Sequence, residues 1–177
     1  RLAGNVTVNS GGTLGGAGTI DGNVTVLGTL YPGYTTANGT TLTVTGNVSF
    51  ASGSTFRVNA NSDGSADKVS AGTATLNGGT VDVRAGGTFR PLTQYVILQT
   101  NSGVSGTFSN VTSNLAFLAP SLSYSGTAVT LTLLASANSF QNGGQTPNQR
   151  AVGAVLDEAS PTATGDFATV LNALYGL

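Results

Sequence analysis

The sequence predicts an all-β protein: a parallel β-helix with a C-terminal β cap, followed by short α-helices. Three observations predict it. The phrase GNVTV occurs at 4–8 and again at 22–26, and GNVS follows at 46–49. GTL occurs at 12–14 and again at 28–30, so whole coils repeat rather than single strands. Gly supplies 26 of 177 residues, and the apolar residues are mostly β-branched or Leu, a mix that favours strands joined by tight corners. A single coil of this kind cannot bury its apolar face. Stacked copies can, with strands pairing at ~4.8 Å per rung.

In chain order, VTV, GTL and GTI are strands of a few residues, flanked by Gly, Asn or Ser where the chain turns. Val and Ile point inward, and Thr and Asn are placed to form ladders along the outside. LTVTGNVSF at 42–50, STFRVN at 54–59, DKVSAGTATL at 67–76 and GGTVDVRAG at 78–86 continue the alternation. Longer loops, Pro32 to Gly39 and Asn59 to Asp67, separate them. At roughly twenty residues per coil, residues 1–134 predict about six or seven rungs, a rod of roughly 30 Å. From Phe89 the texture thickens, and YVILQT at 95–100 reads as an apolar strand. SLSYSGTAVTLTLL at 121–134 reads as a hairpin around Ser125-Gly126. An open rung exposes strand edges, so 87–134 is expected to close the rod. Past Ser136, Thr146-Pro147-Asn148-Gln149 is a capping box with Pro at the first helical position. Val152, Val155, Leu156 and Ala159 then form one stripe. Asp166 is the expected second N-cap, before Phe167, Val170, Leu171 and Leu174. The expected division is 1–86 stem, 87–134 cap, and 135–177 linker with two helices.

Composition limits the chemistry. There is no Cys and no His, hence no disulfide, thiol nucleophile, Ser-His-Asp triad or His-ligated metal. The net charge of −1 gives no footprint for nucleic acid. No apolar run approaches a membrane helix. Arg1 opens in mid-pattern, so the chain is expected to be cut from a longer protein.

Taken in order, the phrases carry a resemblance. GNVTVNSGGTLGGAGTIDGNVTV resembles the passenger-associated repeat of autotransporters, the type V secretion proteins of Gram-negative bacteria. SADKVSAGTATLNGGTVDV, YVILQTNSGVSGTFSNV and LAFLAPSLSYSGTAVTLTL resemble the autochaperone region at the C-terminal end of a passenger. TPNQRAVGAVLDEAS with LNALYGL resembles the segment leading toward the translocator. The resemblance implies a right-handed β-helix at the cell surface that helps its passenger fold and cross the outer membrane. Its implied partners are its own translocator barrel and the upstream passenger, both expected to lie outside this chain.

Candidate residues follow. Phe89, Tyr95, Ile97, Phe108, Phe117, Leu122 and Tyr124 are the expected cap core. Tyr31 and Tyr34, beside Pro32-Gly33, are the candidate binding surface of an alternative reading, an adhesin touching host glycan or matrix. Asn61, Asp63 and Asp67 in NANSDGSAD lack EF-hand spacing and read as a turn, so no metal or cofactor is expected. Asp82, Arg84 and Arg90 are the cluster to weigh for glycan-cleaving chemistry. Asp82 and Arg84 share a strand face and read as an exposed ion pair, so the expectation is a chain without enzymatic activity. Five Asn-x-Ser/Thr matches, beginning at Asn5, Asn23, Asn38, Asn47 and Asn110, read as products of the repeat. Self-association through the β-helix ends is a further expectation.

Overall fold

Gly residues mark the corners of a stack whose floors lengthen along the chain. The computed structural model describes residues 1–34, 39–136 and 139–177. The first coil holds β1 (Leu2–Ala3), β2 (Val6–Val8) and β3 (Thr13–Gly15). The second holds β4 (Gly18–Asp21), β5 (Val24–Val26) and β6 (Thr29–Tyr31). In the third and fourth, the first two strands fuse into β7 (Thr41–Phe50) and β9 (Lys68–Asn77), followed by β8 (Thr55–Asn61) and β10 (Thr80–Gly86). The fifth holds β11 (Thr93–Thr100), β12 (Val104–Thr107) and β13 (Asn110–Ser113). Pairing between coils is parallel throughout. The architecture is therefore the predicted parallel β-helix, closed by β14 (Leu118–Tyr124) and β15 (Ala128–Ala135) and followed by short helices.

The described residues make five coils, not the expected six or seven. Val6, Val24, Val48, Ala74 and Val104 stack in one column. The coil length therefore grows from 18 residues between the first two coils to 30 between the last two. The expectation extended the N-terminal period, whereas the later coils spend extra residues on longer strands and loops.

Inside, the columns carry their bulkiest residues in the third coil. Val8, Val26, Phe50 and Leu76 stack in one, and Leu14, Leu30, Phe56, Val81 and Val111 in another. Outside, the repeated GN corner does two jobs. Gly4, Gly22, Gly46 and Gly72 lie one above another so closely that a Cβ on Gly46 would sit 2.7 Å from the Gly22 carbonyl oxygen. The neighbouring Asn residues form the expected ladder. The Asn23 N–H donates to Asn5 Oδ1 and the Asn47 N–H to Asn23 Oδ1, each at 2.8 Å. The Thr73 hydroxyl donates to Asn47 Oδ1 at 2.9 Å.

The C-terminal segment is helical: α1 (Ser139–Gly143), α2 (Pro147–Ala159) and α3 (Gly165–Tyr175). The capping box is present, with the Gln149 N–H on Thr146 Oγ1 and the Thr146 N–H on Gln149 Oε1. Three expectations need correction. Helix α1 was not anticipated. Thr164, not Asp166, is the N-cap of α3, and Asp166 lies in its first turn. The expected stripe on α2 is split: Val152 and Val155 are more than 60 % exposed, while Leu156 packs against the core and Gly153 is buried. Its Gly allows α1 to cross closely: a Cβ there would lie 2.5 Å from the Phe140 carbonyl.

Candidate functional site

The closed end of the rod is where the fold changes its pairing rule, and one strand makes the change. β11 pairs with β9 in parallel through Leu98, Gln99 and Thr100. Its other edge pairs with β15 antiparallel, from Thr93↔Leu133 to Gln99↔Ala128, with a bulge between Val96 and Leu98. The bulge lets two successive residues, Ile97 and Leu98, point into the core. An apolar run that would otherwise alternate in and out is therefore buried on its last turn of chain, while Val96 stays 43 % exposed.

β14 and β15 form the expected hairpin, in register from Leu118↔Ala135 to Tyr124↔Val129. Val129, Leu131 and Leu133 of β15 are fully buried. β14 is the last strand of the sheet, and Pro120 within it removes a backbone donor from that edge. Tyr124 holds the hairpin to the last coil: its hydroxyl accepts the Phe108 N–H at 3.0 Å. Burial pushes the Tyr124 hydroxyl's pKa up, and the Phe108 N–H works against that shift. Tyr95 donates its hydroxyl to the Asn61 carbonyl at 2.9 Å. Its pKa is pushed up to about 12, first by burial and then by the nearby Asp63 carboxylate.

The helices fold back on this end. Phe140 packs on Phe117 at 5.1 Å between ring centroids and on Tyr175 at 5.0 Å. The Ser160 and Tyr175 hydroxyls share a hydrogen bond of 2.5 Å. The Asp157 carboxylate accepts the Phe140 and Gln141 N–H groups, each at 3.0 Å, so α2 caps α1. α3 is tied to the start of the expected cap, with the Phe89 N–H donating to the Asn172 carbonyl at 3.2 Å. A cavity of about 1200 Å³ opens between hairpin and helices, lined among others by Arg90, Leu92, Leu134, Asp157 and Tyr175.

The residues singled out from sequence distribute as follows. Phe89, Tyr95, Ile97 and Phe108 are buried. Phe117 and Leu122 are half-buried against the core, and Tyr124 lies at its margin, 36 % exposed. Phe108 does not keep to the expected cap: its ring packs on Phe50 and Phe56 of the stem, at 5.1 and 6.0 Å. Packing therefore crosses the expected boundary at 86/87. Tyr31 is half-buried and Tyr34 is 61 % exposed, their rings edge-to-face at 5.9 Å.

The Asp-rich loop is a turn whose oxygens are engaged within the chain. Asp63 accepts the Ser65 N–H at 2.8 Å and its hydroxyl at 2.6 Å, and these bonds lower the Asp63 pKa. Asp67 is fully buried and accepts the Thr40 N–H at 3.0 Å and the Asn59 N–H at 2.9 Å, tying two loops together. Asp82 and Arg84 do pair, at 3.0 Å, and Arg57 from the coil below joins them at 2.7 Å. Arg90 instead lines the cavity.

Sequence reasoning missed Phe140 and Tyr175, both buried against the closed end, whereas Leu171, buried beside them, belongs to the expected second stripe. An aromatic just past an Ala/Ser-rich break was the available signal for Phe140. It also missed Arg57, whose partnership with Asp82 depends on the register between coils.

No family model matches the chain. Among curated proteins, it is similar to the extracellular serine protease of Serratia marcescens, 32 % identical over 173 residues. The alignment covers 91 % of this chain and 16 % of that protein, so the chain spans about a sixth of the relative's length. This finding overturns the expectation of a chain without enzymatic activity: the relative that 91 % of this chain aligns with is named as a serine protease, although the chain matches only 16 % of it.

Proposed function

We propose that this chain is the stem and autochaperone of an autotransporter passenger, exported across the outer membrane of a Gram-negative bacterium. In this role its closed C-terminal end folds first and templates the coils that follow. The observation that carries the reading is the asymmetry of the rod. One end is sealed by an antiparallel hairpin and three helices, while the other presents short parallel strands ready to pair. Nucleation at a stable end and propagation along a linear array is the expected behaviour of stacked repeats. No ATP is available outside the cell, so folding of successive coils supplies a direction for export. The extracellular relative supports the location. Its name makes a serine-protease passenger the candidate parent, with a translocator barrel and upstream coils as partners.

The test is refolding kinetics on the full chain. Leu131→Ala, in β15, is expected to slow refolding in proportion to its destabilisation. Val24→Ala, in β5, is expected mainly to speed unfolding. The reverse pattern would sink the reading. Secretion of the two variants in a passenger carrying this segment should fall in the same order.

A further inference from the structure

Five strands of the second sheet, β3, β6, β8, β10 and β13, turn one face outward, and its polar side chains are not evenly spread. In a chain with six Lys and Arg in total, two guanidiniums and two Tyr rings lie in one strip. Gly15 stands opposite Tyr31. Gly15 has no side chain, and Tyr34 takes its place on the surface: a Cβ on Gly15 would lie 2.4 Å from the Tyr34 Cβ. Tyr31 is followed on the next strand by Arg57, whose guanidinium carbon lies 5.7 Å from the Tyr31 ring centroid. Arg57 stands opposite Asp82, and Arg84 opposite Asn59. The Tyr31 hydroxyl donates to Asn59 Oδ1 at 3.0 Å, fixing the ring. Beside the strip runs a row of hydroxyls, Thr13, Thr29, Thr55 and Thr80 in register.

We propose that this face binds an anionic polysaccharide, bearing sulfate or uronate groups, along the strip Tyr34–Tyr31–Arg57–Arg84. The proposal goes beyond the stem reading and does not rest on it. Asp82 acts as the organiser: it holds both guanidiniums in place yet leaves the trio with a net positive charge. Arg57 spends one of its five N–H donors on Asp82 and Arg84 two, so each fork keeps donors for an external anion. The rings of Tyr34 and Tyr31 supply apolar surface with a polar rim, suited to the faces of sugar rings. Rows of Thr hydroxyls answer the hydroxyls of a glycan.

Other polyanions fit less well. An acidic peptide adding a strand needs a free sheet edge, and this strip lies on a paired face. Nucleic acid draws its affinity from many phosphate contacts, which two guanidiniums on a chain of net charge −1 do not offer. The strip crosses four strands, β3 to β10, about 14 Å at ~4.8 Å per strand, room for a few sugar units.

The test is binding of the purified full chain to dextran sulfate, with neutral dextran and a single-stranded oligothymidine as comparators. The expected result is binding to dextran sulfate alone, weakened in 1 M salt, where the screening length is only ~3 Å. Tyr34→Ala and Arg84→Gln should each weaken it by roughly tenfold. Both residues are exposed, so circular dichroism and melting should be unchanged. Arg150→Gln, on α2, should leave binding within about twofold of wild type. Equal binding to neutral dextran or to the oligonucleotide would overturn the proposal. So would an Arg150→Gln effect matching that of Arg84→Gln, or wild-type binding by Tyr34→Ala.

Discussion

The first coil and the last enclose the same kind of core with very different security. β1 has two residues, and one of them, Leu2, is 52 % exposed. β2 and β3 have three each, and of the first coil only Val8 is buried. At the other end β11 and β15 have eight residues each, and Tyr95, Ile97, Leu98, Val129, Leu131 and Leu133 are all 2 % exposed or less. Between them the inner columns are bulkiest in the third coil, where Phe50 follows Val26 and Phe56 follows Leu30. A stacked coil thus draws its stability from its neighbours, and the closed end is where neighbours exist on every side. Local opening should begin at the N-terminal coil and reach β11 and β15 last, an order that amide hydrogen exchange reads directly.

The largest test of this contrast is truncation of a core side chain at each end. Leu131 lies between Tyr95 on one neighbour strand and Leu122 on the other. Leu131→Ala should cost about 2–5 kcal/mol, whereas Val6→Ala, at a half-buried site, should cost under ~1 kcal/mol. The midpoint of guanidinium unfolding measures both. Equal losses would mean that the Val6 site is packed as tightly as the Leu131 site and that the two ends do not differ.

Alkali should attack the closed end selectively through Tyr95. Its hydroxyl ionises near 10 in the unfolded chain but only at about 12 in the fold. Its contribution is therefore complete below pH 10, falls as pH rises through that window, and is gone above about 12. Because burial is the first cause of the shift, the fold loses stability as pH rises through this window by disfavouring the ionised ring, not by breaking a strong bond. Tyr95→Phe should lower stability near neutrality by about 1 kcal/mol, for the lost bond to Asn61, and flatten the alkaline limb. Midpoints measured from pH 8 to above 12 would show both effects.

The glycine column provides a finer comparison at one repeated position. Gly46 carries the Gly22 carbonyl and Asn23 Oδ1 within 2.7 Å of where a Cβ would be. Gly4 faces open space at the same corner, with φ +101°. Gly46→Ala should cost about 1–3 kcal/mol through the clash. Gly4→Ala should cost about 1 kcal/mol, through backbone strain alone. A shift in unfolding midpoint as large for Gly4 as for Gly46 would show that the column is set by backbone angle rather than by close stacking.

The same contrast explains what could be read in advance. The repeat GNVTV exposes the coil because its period is literal there, and the hairpin at Ser125-Gly126 and the capping box at Thr146 are local signals that need no distant partner. The coil count was misjudged because later coils lengthen, and nothing in a first period announces that. The exposure of Val152 and Val155 escaped the reading because a stripe says that a helix has an apolar face, not which side the rod takes. Phe108 was placed in the cap by its position in the chain, yet register brings it to Phe50 and Phe56. The strip on the second sheet was half legible. Tyr31 and Tyr34 stand out as aromatics, while Arg57 becomes their companion only through the pairing of β6 with β8.

The smallest expected effect lies at the closed end, where the backbone itself is strained. Leu92 is the one described non-Gly residue with positive φ, at 69°, and its side chain is 70 % exposed at the mouth of the cavity. Its N–H donates to the Leu133 carbonyl at 2.7 Å, so the turn is held by the hairpin despite the cost. A left-handed conformation costs an L-residue about 1–2 kcal/mol. Leu92→Gly removes that strain but adds unfolded-state freedom worth about 0.4–1 kcal/mol, so the net gain should be about 0.5 kcal/mol. Leu92→Asn tolerates the same φ without the added freedom and should gain slightly more. If both substitutions destabilise the protein, the exposed Leu side chain covers apolar surface at the cavity mouth. The closed end would then owe its security to that cover as well as to strand pairing, and the contrast between the two ends would rest on packing around the helices.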